Sequence, residues 1–334
     1  MPNNPSKDSP EVELPENLNN KVIVILGPTS SGKSSLAIKI AEDFNGEIIS
    51  VDSRQVFKNM DLGTGKINGK WEKINNKKVY TYKNIPHHLI DFINPEEDYN
   101  VSHFKRDCEE KILEILERGK VPILCGGTGF WIQAIIDDVI LPKVEPNPKL
   151  RQKLNKKSAP ELFKILKKLD SNRANNIDCK NKARLIRAIE IAEELGKIPK
   201  IKIDQRNNKR KIKGKSVDFL QIGIPIDKYK LAEKIKTRLG ERFNDGMVEE
   251  ILELNEKYNL SKEKIQVFGL AYALVPLYEK GEITRKELFD KIAQAEKKYA
   301  KRQMTWFKKD PRIFWSNDYT NIKEKIKKFL TNSI

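Results

Sequence analysis

Apolar residues between positions 21 and 136 fall into two kinds of stretch, and the two alternate. Val22-Ile23-Val24-Ile25-Leu26 is an unbroken apolar run and reads as a buried strand. Ser35 to Ala41 follows, apolar at helical spacing. Glu47-Ile48-Ile49-Ser50-Val51 reads as a second strand. From Ser102 to Gly119, Phe104, Cys108, Ile112, Ile115 and Leu116 trace one face of a helix. Val121-Pro122-Ile123-Leu124-Cys125 is another buried strand. Strand–helix alternation of this kind predicts a parallel sheet with helices packed on it.

The pattern changes at Leu141. Pro142, Pro146 and Pro148 break the chain, and residues 149–200 read as helices rich in Lys and Arg, among them Pro160–Leu166 and Ala183–Glu190. Arg206 to Lys215 is a basic loop, after which Asp218 to Ile224 looks like a strand again. Helices over Lys228–Tyr258 and Lys286–Lys309 complete the pattern. The expected fold is α/β: a parallel sheet core, an inserted all-helical domain and C-terminal helices. In residue terms, 1–20 is a polar tail with four prolines, 21–142 the core, 143–213 the helical insertion and 214–334 the return to the core.

Composition narrows the partners. The chain of 334 residues is 38% apolar and 33% charged, which fits a globular protein, and its formal net charge is +17. Such an excess points to a polyanion, most often nucleic acid. It is also what a lysine-rich proteome would give, since Lys, Asn and Ile are abundant throughout. Cys108, Cys125 and Cys179 are far apart and form no Cys-x-x-Cys pair, which argues against a disulfide framework or a zinc site. No apolar run approaches the ~18 residues of a membrane span. The N-terminus lacks the apolar core of a signal peptide. A cytoplasmic protein with no membrane contact is expected.

Gly27-Pro28-Thr29-Ser30-Ser31-Gly32-Lys33-Ser34 fits G-x-x-x-x-G-K-[ST] between a strand and a helix, the context that gives this motif its meaning and makes the expected parallel sheet core P-loop NTPase-like. The glycines let backbone N–H groups turn around an anion, and the helix N-terminus adds partial positive charge. Lys33 would reach a terminal phosphate and the Ser34 hydroxyl would hold Mg2+. Asp52-Ser53-Arg54-Gln55 ends the second strand, on the rim where ligands of open α/β sheets bind. Asp52 reads either as a base or as a Mg2+-binding or capping carboxylate. Gly126-Gly127-Thr128-Gly129 is a second glycine turn at a strand end. Met60 to Lys66 is a glycine-broken loop, either over the site or a connector. His87 and His88 have no third ligand nearby at metal spacing and read as a structural pair.

These pieces together resemble the tRNA dimethylallyltransferases. The resemblance rests on Gly27–Ser34, Ile49–Ser53, Gly63-Thr64-Gly65-Lys66, Pro86–Asp91, Gly126-Gly127-Thr128 and Ala300–Phe307, in family order across about 21–315. It implies transfer of a dimethylallyl group from dimethylallyl diphosphate to N6 of the adenine 3′ of the anticodon. It further implies a helical insert that grips the tRNA anticodon stem-loop, and a monomer is expected. By resemblance, Gly27, Thr29, Ser30, Ser31, Gly32, Lys33, Ser34 and Arg238 hold the diphosphate. Asp52, Ser53, Arg54 and Gln55 meet the target nucleotide. Thr128, Arg151, Ala183, Arg184, Arg187, Gln266 and Gly269 face tRNA. Asp52, Lys33, Thr128 and Arg238 are the candidate catalytic set. The chain departs from the family at Gly269-Leu270-Ala271, where Gly-Tyr-Arg or Gly-Tyr-Lys is usual, and at Asp178-Cys179-Lys180-Asn181, where the family has His-Pro-Asn-Asp. The C-terminal zinc finger of eukaryotic relatives is absent.

The chemistry agrees with that resemblance. An exocyclic adenine amine is a poor nucleophile, and a carboxylate taking its proton helps by roughly 10²–10⁴-fold. Diphosphate leaves well only when its charge is neutralised. Three other readings stay open at this point: a P-loop small-molecule kinase, a prenyltransferase acting on free adenine nucleotides, and a non-catalytic RNA-binding module.

Overall fold

The structure is a computed structural model describing residues 20–74, 76–199 and 208–331. Residues 1–19 of the expected tail, and Arg206 and Asn207 of the basic loop, lie outside the described residues. The chain opens with β1 (Lys21–Leu26), α1 (Lys33–Asp43), β2 (Gly46–Val51), β3 (Lys70–Ile74), β4 (Lys77–Tyr82), β5 (Ile85–His88), α2 (Val101–Glu117), β6 (Val121–Gly126) and α3 (Gly129–Ile136). A helical stretch follows: α4 (Pro148–Asn155), α5 (Ala159–Leu169), α6 (Ser171–Asn175) and α7 (Lys182–Leu195). Then come β7 (Lys209–Ile212), β8 (Lys215–Gly223), α8 (Lys228–Asn244), α9 (Met247–Tyr258), α10 (Lys262–Phe268), α11 (Leu270–Glu279), α12 (Arg285–Phe307), β9 (Phe314–Trp315) and α13 (Tyr319–Thr331).

One sheet runs β3-β4-β5-β2-β6-β1-β8-β7, with β9 beside β8. From β5 to β8 every neighbouring pair is parallel. Strands buried on both faces need no polar side, which is why β1 is all Val, Ile and Leu after Lys21. Its alternate residues feed opposite cores. Val22, Val24 and Leu26 join Phe104, Ile112, Leu239 and Ile292, whereas Ile23 and Ile25 join Ala37, Ile40, Ile322 and Ile326. Leu26 and Val51 both stand level with Gly126. The loops after β1, β2 and β6 therefore leave on one rim. A Cβ on Gly126 would lie 2.0 Å from the Val51 carbonyl oxygen, so only glycine lets these strand ends close up.

Four features differ from expectation. The sheet is not wholly parallel: β3–β4 and β4–β5 pair antiparallel at one edge, and β7–β8 at the other. The basic loop is that second hairpin. The expected insertion over 143–213 therefore runs past the compact helical unit, whose described part is 139–199, because Lys209–Ile212 pair with a core strand. The helix expected over 228–258 breaks at Gly246, whose φ of 96° ends α8 and starts α9. His87 and His88 agree with their expected structural role: they lie on β5, and both are engaged. His87 Nδ1 donates to Ile85 O (2.9 Å), and burial pushes its pKa down to about 4. His88 Nε2 meets Glu47 (2.6 Å), a buried carboxylate that also receives Arg118 (2.6 Å) and Lys120 (3.2 Å). Among the described residues, no group of three or more His, Cys, Asp or Glu is placed to hold a metal.

The helical unit has its own small core of Leu154, Leu162, Leu166, Leu185 and Ile189. Its helices are capped in sequence: Asn147 for α4, a Ser158–Glu161 capping box for α5, Asp170 for α6 and Asn181 for α7. The unusual Asp178–Asn181 turn still closes, with the Asp178 side chain accepting from Lys180 N at 3.0 Å. Glu190 is buried and accepts from Asn147 N, from Arg151 Nε (2.6 Å) and Nη2 (2.8 Å), and from Arg187 Nη1 (3.2 Å). Arg151 and Arg187, expected to face tRNA, thus also neutralise a buried acid. Ala183 and Arg184 are exposed.

Candidate active site

The first rim loop is the glycine loop. Ser30 is held at φ 59° and Gly32 at φ 93°, and α1 starts on the next residue, Lys33. A Cβ on Gly27 would stand 2.9 Å from Ser31 Oγ. The Lys33 ammonium is folded back on Pro28 O (3.2 Å), and burial lowers its pKa. Ser30 Oγ and Ser31 Oγ are buried with no partner in the protein. Buried hydroxyls without partners are unfavourable, and an anion seated in the loop would supply the missing acceptors.

The second rim loop carries Asp52. Its Oδ1 accepts from Arg54 N (2.9 Å) and Gln55 N (3.4 Å), which fixes the carboxylate at the strand end. Thr128, from the third rim loop, accepts from Ser53 N (3.1 Å). Arg54 donates to the carbonyls of Val267 (2.5 Å) and Phe268 (2.9 Å) at the end of α10, a favourable place for a cation. That contact ties Gly269 (φ 69°) to the rim. The side chain of Gln266 lies outside the described residues.

Helices α8 and α12 close the site. Arg238 Nη2 donates to Gly65 O (2.6 Å), and burial followed by Arg242 lowers its pKa. Gln303 accepts from Thr29 N (2.9 Å) through its side-chain oxygen and donates to Gly127 O (2.9 Å) through its amide. It therefore clips the phosphate loop to the second glycine turn. Tyr299 is pushed up to about 12 by burial and then by the charge of Asp52, so it stays a neutral hydroxyl. Arg242 pairs with Glu296 at 2.5 Å in the interior.

These groups enclose a cavity of about 280 Å³ that Thr29, Lys33, Ser34, Asp52, Arg238 and Tyr299 all line. An open groove of about 810 Å³ shares Lys33, Ser34, Gly65 and Arg238 with it and adds Ser30 and Gly32. The core thus brings together Thr29 to Ser34, Asp52 to Gln55, Thr128, Arg238 and Gly269. Arg151, Ala183, Arg184 and Arg187 belong to the helical unit. Sequence reasoning assigns no role to Gln303, Tyr299, Arg242 or Glu296. One signal is there to be read: Glu296 and Gln303 are polar residues on the otherwise apolar buried stripe of α12.

A parallel sheet with a phosphate loop and a rim carboxylate over one cavity defines a P-loop α/β protein built for chemistry on a phosphate compound. The family described as IPP transferase matches residues 55–310. The tRNA dimethylallyltransferase of Halothermothrix orenii is 37% identical over 319 residues, 93% of this chain and 92% of that protein. The tRNA dimethylallyltransferase 1 of Azobacteroides pseudotrichonymphae is 40% identical over 288 residues, 86% of this chain and 89% of that one. The crystal structure of the tRNA isopentenylpyrophosphate transferase of Bacillus halodurans superposes with a TM-score of 0.63 at 29% identity, covering 93% of this chain and 95% of that chain. The chain belongs to the IPP transferase family.

Proposed function

We propose that this protein is a transferase that moves a dimethylallyl group from dimethylallyl diphosphate to N6 of the adenine 3′ of the anticodon in tRNA. The observation that carries this reading is that Lys33, Arg238 and Asp52 line one cavity, in a chain of this family. N6 attacks C1 of the allylic group as the C1–O bond breaks. The electron pair leaves with diphosphate, and the N6 proton passes to the Asp52 carboxylate. Lys33, Arg238 and the loop amides take up the charge that grows on the leaving group. Thr128 positions Ser53, and through it the strand end that carries Asp52. The target adenine is extruded from its stack to reach the carboxylate, which costs little in an unpaired loop.

Ser34 would hold Mg2+, and the residues fit: its hydroxyl lines the same cavity as Lys33 and Arg238, and magnesium needs only one or two protein oxygens beside phosphate and water. Bound there, the ion supplies further neutralisation of the diphosphate. The anticodon stem-loop is the tRNA element engaged, by the helical unit through exposed groups such as Arg184. A monomer acting in the cytoplasm is proposed. Among the described residues no helix is long and apolar enough to cross a membrane.

Mass analysis of nucleosides from tRNA incubated with donor and Mg2+ tests the reading. A dimethylallyl adduct on adenosine, mapped by nuclease digestion next to the anticodon, is expected. Prenylation of AMP in preference to tRNA, or phosphate transfer from ATP, would overturn it.

A further inference from the structure

The loop Asp61–Lys66 forms one wall of the cavity, and a carboxylate that lines neither cavity nor groove holds it in place. Glu250, in the first turn of α9, accepts from three successive backbone N–H groups. Asp61 (3.1 Å) and Leu62 (2.7 Å) donate to its Oε2, and Gly63 (2.9 Å) donates to its Oε1. Consecutive amides aimed at one point form an anion nest, and here the anion is a side chain of the protein itself. Burial raises the Glu250 pKa while the amides of Gly63 and Leu62 pull it down, so the contact is kept against a desolvation cost. Arg242 holds the other side of the peptide planes, donating from Nη1 to Leu62 O (3.2 Å) and Gly63 O (3.4 Å) while Glu296 fixes its Nη2.

The loop in turn bears directly on Arg238. Gly65 O accepts from Arg238 Nη2 at 2.6 Å and from Gln55 Nε2 at 3.3 Å. A Cβ on Gly65 would lie 2.5 Å from the same Nη2, so loop backbone and guanidinium are in contact. Any shift of the loop must move Arg238. We propose that Glu250 is a positioning residue for the donor: by fixing the backbone of Asp61–Gly63 it sets where Gly65 holds the Arg238 guanidinium, and so sets affinity for diphosphate. The proposal rests on the reading that the diphosphate lies between the phosphate loop and Arg238.

The test is a double-mutant cycle on the full chain with dimethylallyl diphosphate and tRNA. In Glu250→Gln an NH2 replaces one acceptor oxygen and meets backbone N–H groups. Donor KM should rise by about tenfold, with any fall in kcat no larger than that of Arg238→Ala and with tRNA KM within about twofold of wild type. Arg238→Ala should raise donor KM by itself, and adding Glu250→Gln to it should cause no further rise, since both act through one guanidinium. Should melting show Glu250→Gln to be unfolded, Glu250→Asp, which keeps the charge but shortens the reach, goes through the same cycle. A wild-type donor KM in the Glu250 variant overturns the proposal, as does an equal rise with and without Arg238 or a matching rise in tRNA KM. If Arg238→Ala leaves donor KM unchanged, the placement of the diphosphate itself is wrong and the clamp falls with it, so the two failures read differently.

Discussion

The β7–β8 hairpin and helix α12 are both rich in Lys and Arg, and the fold treats them in opposite ways. On the hairpin every cation but Lys211 already has an anion among the described residues. Arg210 pairs with Glu109 and with Asp138 (2.6 Å), Lys213 with Glu110 (3.0 Å), Lys215 with Glu117 (3.0 Å) and Lys209 with Asp218 (3.3 Å). On α12, Lys298, Lys301 and Arg302, and just past its end Lys308 and Lys309, are exposed and make no ion pair within the described residues. Arg302 also lines the cavity. The lesson is that a net charge of +17 does not mark a polyanion surface; a cation is available to phosphate only where the fold has not already paired it. The rim beside α12 is where unspent polarity collects, in the partnerless hydroxyls of the phosphate loop, in Arg238 of α8 and in the exposed cations of α12. The hairpin edge is where it cancels.

The largest effect that would break this contrast lies at the rim. Asp52→Ala keeps the phosphate loop and the basic helix, so both substrates should bind nearly as before while the chemical step slows by about 10²–10⁴-fold. Single-turnover transfer at saturating donor, tRNA and Mg2+ measures it. Recovery of the wild-type rate at high Mg2+ and donor would make Asp52 a metal ligand instead of a base. Next comes Lys33→Ala, which removes a cation facing the diphosphate. Donor kcat/KM should fall by about 10²-fold with tRNA affinity nearly intact. Equal loss of tRNA binding would mislocate the loop's role.

How much of this contrast is legible in the sequence follows from how local each feature is. β1, β2 and β6 stand out because strands covered on both faces must be apolar throughout, and the phosphate loop is recognised by its glycines and its flanks. β3 gives no such signal: it is an edge strand with Trp71 and Ile74 exposed, and Lys70-Trp71-Glu72-Lys73-Ile74 has neither an apolar run nor a regular alternation. The break between α8 and α9 is written in Asp245-Gly246, a glycine with positive φ, but the flanking apolar periodicity masks it. Gln303 shows as a polar residue on a buried stripe, yet its partners, Thr29 and Gly127, lie 274 and 176 residues away in sequence. The hairpin's ion pairs are illegible for the same reason, since Glu109, Glu110 and Glu117 belong to α2, roughly a hundred positions earlier in the chain. Without those partners in view, the basic loop reads as part of the insertion.

A smaller effect is expected from the helix side of the comparison. Lys298→Glu/Lys301→Glu should weaken tRNA binding by about tenfold and leave donor KM unchanged. The log–log dependence of tRNA affinity on salt should become shallower by about 0.7 for each phosphate no longer neutralised. Titration of labelled tRNA across a salt series measures both. An unchanged slope would remove α12 from the RNA surface.

The smallest effect sharpens the comparison most, because it separates local pairing from global charge. Lys213→Glu/Lys215→Glu changes the net charge by the same amount as the α12 double variant. If tRNA senses only the summed field of the protein, the two variants should bind equally poorly. If pairing decides, the hairpin variant should bind tRNA within about twofold of wild type and keep its salt slope, since its lysines were never available to phosphate. The cost should appear in stability instead. Lys213 and Lys215 would become acids opposite Glu110 and Glu117, exchanging two exposed ion pairs, each worth about 0–1 kcal/mol, for repulsions of similar size. A loss of about 1–2 kcal/mol in urea unfolding, reduced by added salt, is the expected outcome. Loss of tRNA affinity equal to that of the α12 variant, with stability unchanged, would instead put the hairpin on the RNA surface and show that its acidic partners on α2 release the lysines when RNA arrives.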